Sequence, residues 1–317
     1  KPDESSQEQN ESWNTEELSD DWGEDASSLK EYNCPSCGAQ ILCEQNTAAT
    51  SCPYCDNPAI VETQFAGTLK PDYIIPFKIK KEKAVAALKE FYKGKPLLPK
   101  TFSDENHLEE AKGVYVPFWF FDGTAEGYAV FDATRSQTFQ DGNETIRITK
   151  HYNCTREGEL DFKLIPVDAS KQMDDDLMDS IEPFNYKDLT EFSTGYLPGY
   201  LAHIHDVSVD ECFPRARVRC NSTFIAALSS TVLGYDTSSL ESSRINIKNG
   251  VVHYGLLPVY ILNTKFEDKK YTFAVNGQTG KVAGNLPSSA GKGFAKFCKT
   301  FFISLLVEGL LALGMNY

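Results

Sequence analysis

The chain has 317 residues and a mass of 35.4 kDa, and 41% of its residues are hydrophobic, enough for about two domains with a buried core. Collagen-like and wholly disordered readings are excluded. Forty-five Asp and Glu against 31 Lys and Arg give a net charge of −14, which repels a phosphate backbone unless a local basic patch overrides it.

That charge is uneven. Residues 1 to 31 hold eleven acids against Lys1 and Lys30, so −9 of the −14 belongs to this segment. Residues 1–29 are rich in Glu, Asp, Ser, Gln and Asn with no sustained apolar period, which predicts an acidic disordered tail. Trp13 and Trp22 interrupt it, either as docking points for a partner or as residues grazing the protein's own surface. No apolar signal-peptide core is present.

A compact cysteine module follows at 30–62, and Leu69 to Phe77 reads as extended around Pro71 and Pro76. Val85, Leu88 and Tyr92 fall at helical spacing within Lys80 to Tyr92, with Gly94 and Pro96 as the stop. A second short helix is expected over Asp104 to Lys112. The chain then turns mainly β, at Val114 to Phe121, Gly127 to Ala133 and Thr145 to Cys154, with Asp141-Gly142 as a turn. Leu177 to Ile181 and Ser208 to Leu233 read as helices. The second opens on the capping-box pattern Ser208-Val-Asp-Glu211, and Pro214 should end or kink its first turns. A last β group covers Ile245 to Ile247, Val251 to Asn263, Lys270 to Asn276 and Lys281 to Ala283, with a turn at Asn249-Gly250.

A short theme recurs as Gly113-Val-Tyr-Val-Pro117-Phe-Trp119, Gly195-Tyr-Leu-Pro198-Gly-Tyr200 and Gly255-Leu-Leu-Pro258-Val-Tyr260. Its unequal spacing argues against a regular solenoid.

Cys34-Pro-Ser-Cys37 and Cys52-Pro-Tyr-Cys55 carry the strongest chemical signal. Fourteen residues separate two C-x-x-C pairs, close to the spacing of a four-thiolate zinc site. Gly38, and Asp56-Asn57 after the second pair, can supply the left-handed backbone that such knuckles need. Four thiolates leave no open position for water, so one structural Zn2+ on Cys34, Cys37, Cys52 and Cys55 is the expected cofactor. Iron bound in a rubredoxin-like manner and a dithiol redox pair are the alternatives. Cys43 could serve as a ligand only if its loop folded back.

Phe301 to Met315 is mostly apolar, about 22 Å long as a helix against a hydrocarbon core of about 30 Å. Extending it to Phe294 gains length with Lys296 and Lys299, which can snorkel, while Glu308 would cost roughly 3 kcal/mol near the bilayer centre. Residues 291–317 are accordingly a membrane-anchor candidate. Lys292, Lys296 and Lys299 would place the preceding residues on the cytoplasmic side.

No catalytic signature is present: the P-loop, H-E-x-x-H and G-x-S-x-G patterns are all missing. His203-Ile-His205 would put two imidazoles on one face of a strand, with a packing or surface role expected. Asp174-Asp-Asp176 reads as a solvated helix start. The expectation is a protein that is not an enzyme and has no small-molecule substrate.

The cysteine module, Leu69-Lys-Pro-Asp-Tyr-Ile-Ile-Pro-Phe77, Lys95 to Lys100, Gly113-Val-Tyr-Val-Pro-Phe-Trp119, Asp176-Leu-Met-Asp-Ser-Ile-Glu-Pro183 and Asn276-Gly-Gln-Thr-Gly-Lys281 together resemble a bacterial family. The chain is similar, over essentially residues 11 to 300, to the YdjG-like, TFIIB-type zinc-ribbon membrane proteins. Members are often labelled primosomal helicase or replication factor Y, a label that the missing P-loop does not support here. The resemblance implies a cytoplasmic zinc ribbon at Cys34, Cys37, Cys52 and Cys55, a large following domain, a C-terminal membrane anchor, and a part in envelope-stress or membrane-associated complexes.

The combined expectation is an α+β protein: a zinc ribbon at 30–62, a larger, mainly antiparallel β domain with helices at 63–290, and a C-terminal apolar helix. Its function would be that of a scaffold for protein partners on the cytoplasmic face of the cell membrane, with the lipid bilayer contacted through the last helix. The alternative is a nucleic-acid-binding accessory of replication or transcription that uses the ribbon. Asn33 through Glu62 contain no Lys or Arg, whereas Glu44, Asp56 and Glu62 are acidic, which disfavours nucleic acid.

Overall fold

The computed structural model describes residues 13–289, apart from 17, 48, 64, 66, 100, 101 and 103–107, together with 297, 298, 300, 301, 303 and 304. It is an α+β fold around one mixed sheet of eleven strands. Three strands dominate: β5 (Lys112–Asp141), β6 (Glu144–Asp168) and β9 (Thr237–Phe266). β5 pairs antiparallel with both β6 and β9, and Asp141-Gly142 makes the predicted turn, with Gly142 at φ 60°.

The β segments expected separately at 114–121 and 127–133 are one strand, as are those at 245–247 and 251–263. The reason is mutual pairing: from Lys112↔Ile261 to Thr134↔Thr237 each strand satisfies the other's backbone, with bulges at Asp122/Thr124 and Val130/Phe131 absorbing the irregularities. Asn249, at φ 52°, therefore bends a continuous strand where a turn was expected.

Apolar residues on successive positions of β5 serve different faces, as the period of two requires. Val114, Val116, Phe118 and Phe120 pack with α2 (Asp175–Ile181) and with the cysteine module. Tyr115, Trp119 and Phe121 face α3 (Val209–Ser229), whose Cys212, Ala216, Cys220, Phe224 and Leu228 form its buried stripe. With both faces covered, the segment reads as an unbroken apolar run.

α1 (Lys81–Tyr92) lies where the period placed it and buries Ala84, Val85, Leu88 and Tyr92 against Phe273 and Val275 of β10 (Lys269–Asn276). Full burial of Val85 or Leu88 contributes roughly 1.5 to 3 kcal/mol each. The Ser208–Glu211 capping box forms in both directions, and α3 continues past Pro214 to Ser229, so the proline does not end it. Asp174 caps α2 by accepting from the Leu177 amide at 3.1 Å. Residues 104–107 of the helix expected over 104–112 lie outside the described residues; over the rest the expectation fails, since Leu108–Glu110 is a single 3-10 turn and Lys112 already begins β5.

Two of the three Gly-Pro-aromatic segments are cross-strand partners: Tyr115 faces Pro258, and Pro117 faces Leu256. The glycines permit close approach. A Cβ on Gly255 would lie 2.4 Å from the Phe120 ring, and one on Gly113 would lie 2.6 Å from Tyr200. Tyr200, from the third segment, stacks on Phe77 at 4.0 Å.

The largest departure from expectation is at the N-terminal side. Composition predicts a solvated tail to residue 29, yet Trp13 and Trp22 are buried, at 7% and 5% exposure. Trp13 packs against Phe121, Phe162 and Phe213, and Asn14 bridges to Val251. Trp22 donates its indole N–H to the Thr68 carbonyl at 2.5 Å and packs against Phe65 and Phe192. Both residues belong to the core, so neither is a docking point nor a surface contact. Residues 1–12 lie outside the described residues.

Among the described residues no helix is long and apolar enough to cross a membrane. Most of the anchor candidate at 291–317 lies outside them.

Candidate metal centre

β1 (Leu29–Asn33), β2 (Gln40–Glu44) and β3 (Val61–Thr63) pair antiparallel, with β1 in the middle. The first knuckle joins β1 to β2 and the second precedes β3. The left-handed residues are Gly38, at φ 77°, and Asp56, at φ 59°, as the knuckle chemistry requires. Each turn closes back on a cysteine carbonyl: the Gly38 amide donates to Cys34 at 2.9 Å, and the Asp56 amide to Cys52 at 3.1 Å.

All four Sγ atoms of Cys34, Cys37, Cys52 and Cys55 lie within 4.8 Å of one another, the one such donor group among the described residues. Cys34 and Cys55 are 3.5 Å apart at sulfur, and Cys37 and Cys52 are 3.6 Å apart, far too long for disulfides. A tetrahedral ion with Zn–S bonds of about 2.3 Å requires sulfur–sulfur edges of about 3.8 Å. The donor set therefore fits a zinc-sized tetrahedral ion. Burial opposes ionisation of Cys34, but amide donors at Cys37 and Ser36 outweigh it and hold the thiol down at about 7. Burial pushes Cys37 up to about 11 and Cys52 further up, so those thiolates need the positive charge of a metal. Cys43 is buried outside the cluster, with its thiol toward the Thr47 carbonyl at 3.5 Å. Cys154, Cys212 and Cys220 are buried, as small hydrophobes are.

The module is built into the body. β2 pairs with β8 (Leu201–His203), which runs parallel to β5. Side chains from distant segments, three of them on strands and Gln172 in the turn after β6, then grip the knuckles by their carbonyls. Lys112 donates to Cys52 O at 3.1 Å and to Ser51 Oγ at 2.7 Å, and pairs with Asp56 at 3.1 Å. Asn263 donates to Pro53 O at 2.8 Å, Lys270 to Tyr54 O, and Gln172 to Cys37 O at 3.2 Å. Sequence reasoning missed these four residues. They lie 60 to 216 positions from the carbonyls they hold, and no local pattern marks them.

His203 and His205 do not share a face. His203 packs its ring against Tyr54 at 4.9 Å, whereas His205 packs against Trp119 and Tyr254 on the opposite side. Burial pushes the His203 imidazole down to about 4, with Asp206 opposing, so it is neutral at physiological pH. Both fill packing positions, as the sequence led us to expect.

No family model and no solved structure matches the chain. It is 37% identical to the uncharacterized protein YdjG of Bacillus subtilis (strain 168) over an alignment of 334 positions, covering 90% of this chain and 98% of that protein.

Proposed function

The chain belongs to the YdjG family, and we propose that it is a non-enzymatic zinc-ribbon scaffold that gathers protein partners at the cytoplasmic face of the cell membrane. Zinc is the metal best suited to four thiolates in a closed tetrahedron, and with no free coordination position it supports folding and not turnover. The ribbon's continuity with the sheet fits that structural part.

One observation carries the partner-binding reading. Beyond residue 134 the β5–β6 hairpin is two-stranded and largely exposed, and register puts Phe139, Ile146 and Ile148 on one face, all of them exposed. An exposed apolar row on a projecting two-stranded arm covers no core of its own and suits a protein surface. The membrane tether is supported by the apolar run at 301–315 and by Phe297, Phe301 and Ile303, whose side chains are exposed, Phe297 by 66%. The suggested link to envelope stress rests on the family resemblance alone.

Affinity capture from native membranes tests this reading, using the intact chain, a chain lacking residues 294–317, and a Phe139→Ser, Ile148→Ser double variant. The truncation should leave the membrane fraction, and the double variant should keep its zinc while losing its partners. Membrane retention of the truncated chain, or unchanged partners on the double variant, would overturn it. Duplex DNA binding that weakens steeply with salt would favour the nucleic-acid alternative.

A further inference from the structure

β6 is an edge strand: it pairs with β5 on one side and, among the described residues, with no strand on the other. Asp141 and Glu144 close a two-residue turn and exchange both hydrogen bonds, which fixes the alternation along the hairpin. Even-numbered residues of β6 from 144 to 162 therefore bond to β5, and odd-numbered residues from 145 to 161 turn their N–H and C=O groups outward. Of these outward groups only the Thr155 carbonyl has a partner among the described residues, the Arg156 guanidinium at 2.9 Å. The run holds no proline, and the hairpin's register shift, at Phe121/Gly123, lies beyond it. An open edge of this length is a template for another strand, and proteins ordinarily shorten or break one.

Charged side chains can also block an edge, yet here they are sorted by sign. The outward-turned residues share one face of the strand and are polar throughout, from Thr145 to Asp161. Arg147 and His151 stand in the first half, and Glu157, Glu159 and Asp161 in the second. His151 pairs with Asp132 at 3.3 Å, but Arg147 and the three acids make no ion pair among the described residues. Arg147 reaches Ser136 Oγ at 3.2 Å, and Asp161 accepts from Thr124 Oγ1 at 2.7 Å. On β5, Glu159 faces a like charge, Glu126, whose carboxylate is already paired with Lys248.

The geometry points to a second copy of this chain as the occupant of that edge: two β6 strands pair antiparallel about a two-fold axis beside Cys154, joining two sheets into one. This register sets outward residue against outward residue, as ladder bonding requires. It places Arg147 of one copy opposite Asp161 of the other, Thr149 opposite Glu159 and His151 opposite Glu157, so each acid meets a donor. A slip of two residues sets Arg147 against Lys163 in one direction and Lys150 against Arg156 in the other, and parallel pairing sets like halves together. The contact is isologous and closes at two copies. Near the axis Thr231 accepts from Arg156 at 3.0 Å and Tyr235 packs on Tyr152 at 5.2 Å, which brings Leu233, 77% exposed, to the junction. The overlap of residues 147–161 is smaller than the ~20–30 residues a side of a standard interface, so the dimer is a weak one. Such pairing uses the backbone edge of β6 and not the apolar row on the arm's face, and so stands apart from the partner-binding reading.

Sedimentation equilibrium of the intact, zinc-loaded chain in a density-matched detergent, from about 1 to 300 μM at low ionic strength, tests the edge. A monomer–dimer equilibrium that weakens with added salt is expected. Arg147→Glu and Asp161→Lys should each weaken it by about 10-fold or more, and the double variant, which exchanges the two charges, should return it to within about 3-fold of wild type. Asn153→Pro removes an outward N–H beside the axis and no bond to β5, so it should abolish the dimer with zinc content and near-ultraviolet circular dichroism unchanged. A monomer at every concentration, a dimer that Arg147→Glu or a folded Asn153→Pro leaves intact, or a double variant no tighter than the single ones overturns the proposal. Arg147 and Asp161 are exposed, so the charge variants decide the matter should Asn153→Pro fail to fold.

Discussion

Lys112→Met removes the residue that ties the second cysteine knuckle to β5 and leaves the four thiolates untouched. The lost hydrogen bond to the Cys52 carbonyl is charge-assisted and partly buried, a class that contributes about 1.5 to 3 kcal/mol. The Asp56 pair is half-exposed on the acid's side and adds at most about 1 kcal/mol. The Cys52 carbonyl keeps the Asp56 amide, which limits the penalty for the acceptor left behind. Taking about 2 kcal/mol as the net loss, the knuckle should open about 30-fold more often. The assay is the rate of zinc transfer to a chromogenic chelator under native conditions, with near-ultraviolet circular dichroism confirming that the body stays folded. An unchanged transfer rate in a folded variant would refute the view that the body holds the ribbon closed.

Three further outcomes follow from the same contacts. Trp13→Ala should lower stability by about 3 to 5 kcal/mol, read by urea denaturation, because the indole is packed among Phe121, Phe162 and Phe213; a change under about 1 kcal/mol would return that residue to a surface role. Gly255→Ala should cost about 2 kcal/mol or more, since its Cβ would press on the Phe120 ring at 2.4 Å and on the Tyr73 carbonyl at 3.2 Å; a melting temperature equal to wild type would contradict this. For His203, the unfolded imidazole takes its proton near the ordinary value of 6.5 and the folded one only near 4, so acid favours unfolding. Stability should fall as pH drops from about 6.5 towards 4, by up to about 3 kcal/mol, and His203→Gln should flatten that limb in a pH series of urea melts; identical pH profiles would contradict the assignment.

What could be read from the chain was what is local. The α1 period, the Ser208–Glu211 capping box, the Asp141-Gly142 turn and the two cysteine knuckles each lie within a few residues, and each formed as expected. What escaped depends on residues far apart. Trp13 is buried by side chains more than a hundred positions away, so an acidic, apolar-poor neighbourhood was a poor guide to its burial. Asn249-Gly250 has turn chemistry, but it falls in the bulge between the Asp122↔Val251 and Thr124↔Lys248 pairs, and the ladder on either side keeps the strand continuous through it. The four side chains that grip the knuckles, Lys112, Asn263 and Lys270 on strands and Gln172 in a turn, follow from tertiary topology and had no sequence signature.

The most direct test of a structural zinc centre is the metal content and X-ray absorption spectrum of the purified chain. The account predicts one zinc per chain with four sulfur neighbours at about 2.3 Å, and in Cys37→Ser both zinc and the ribbon's fold should be lost. Iron in place of zinc, nitrogen or oxygen neighbours in the first shell, or full zinc content in Cys37→Ser would contradict it.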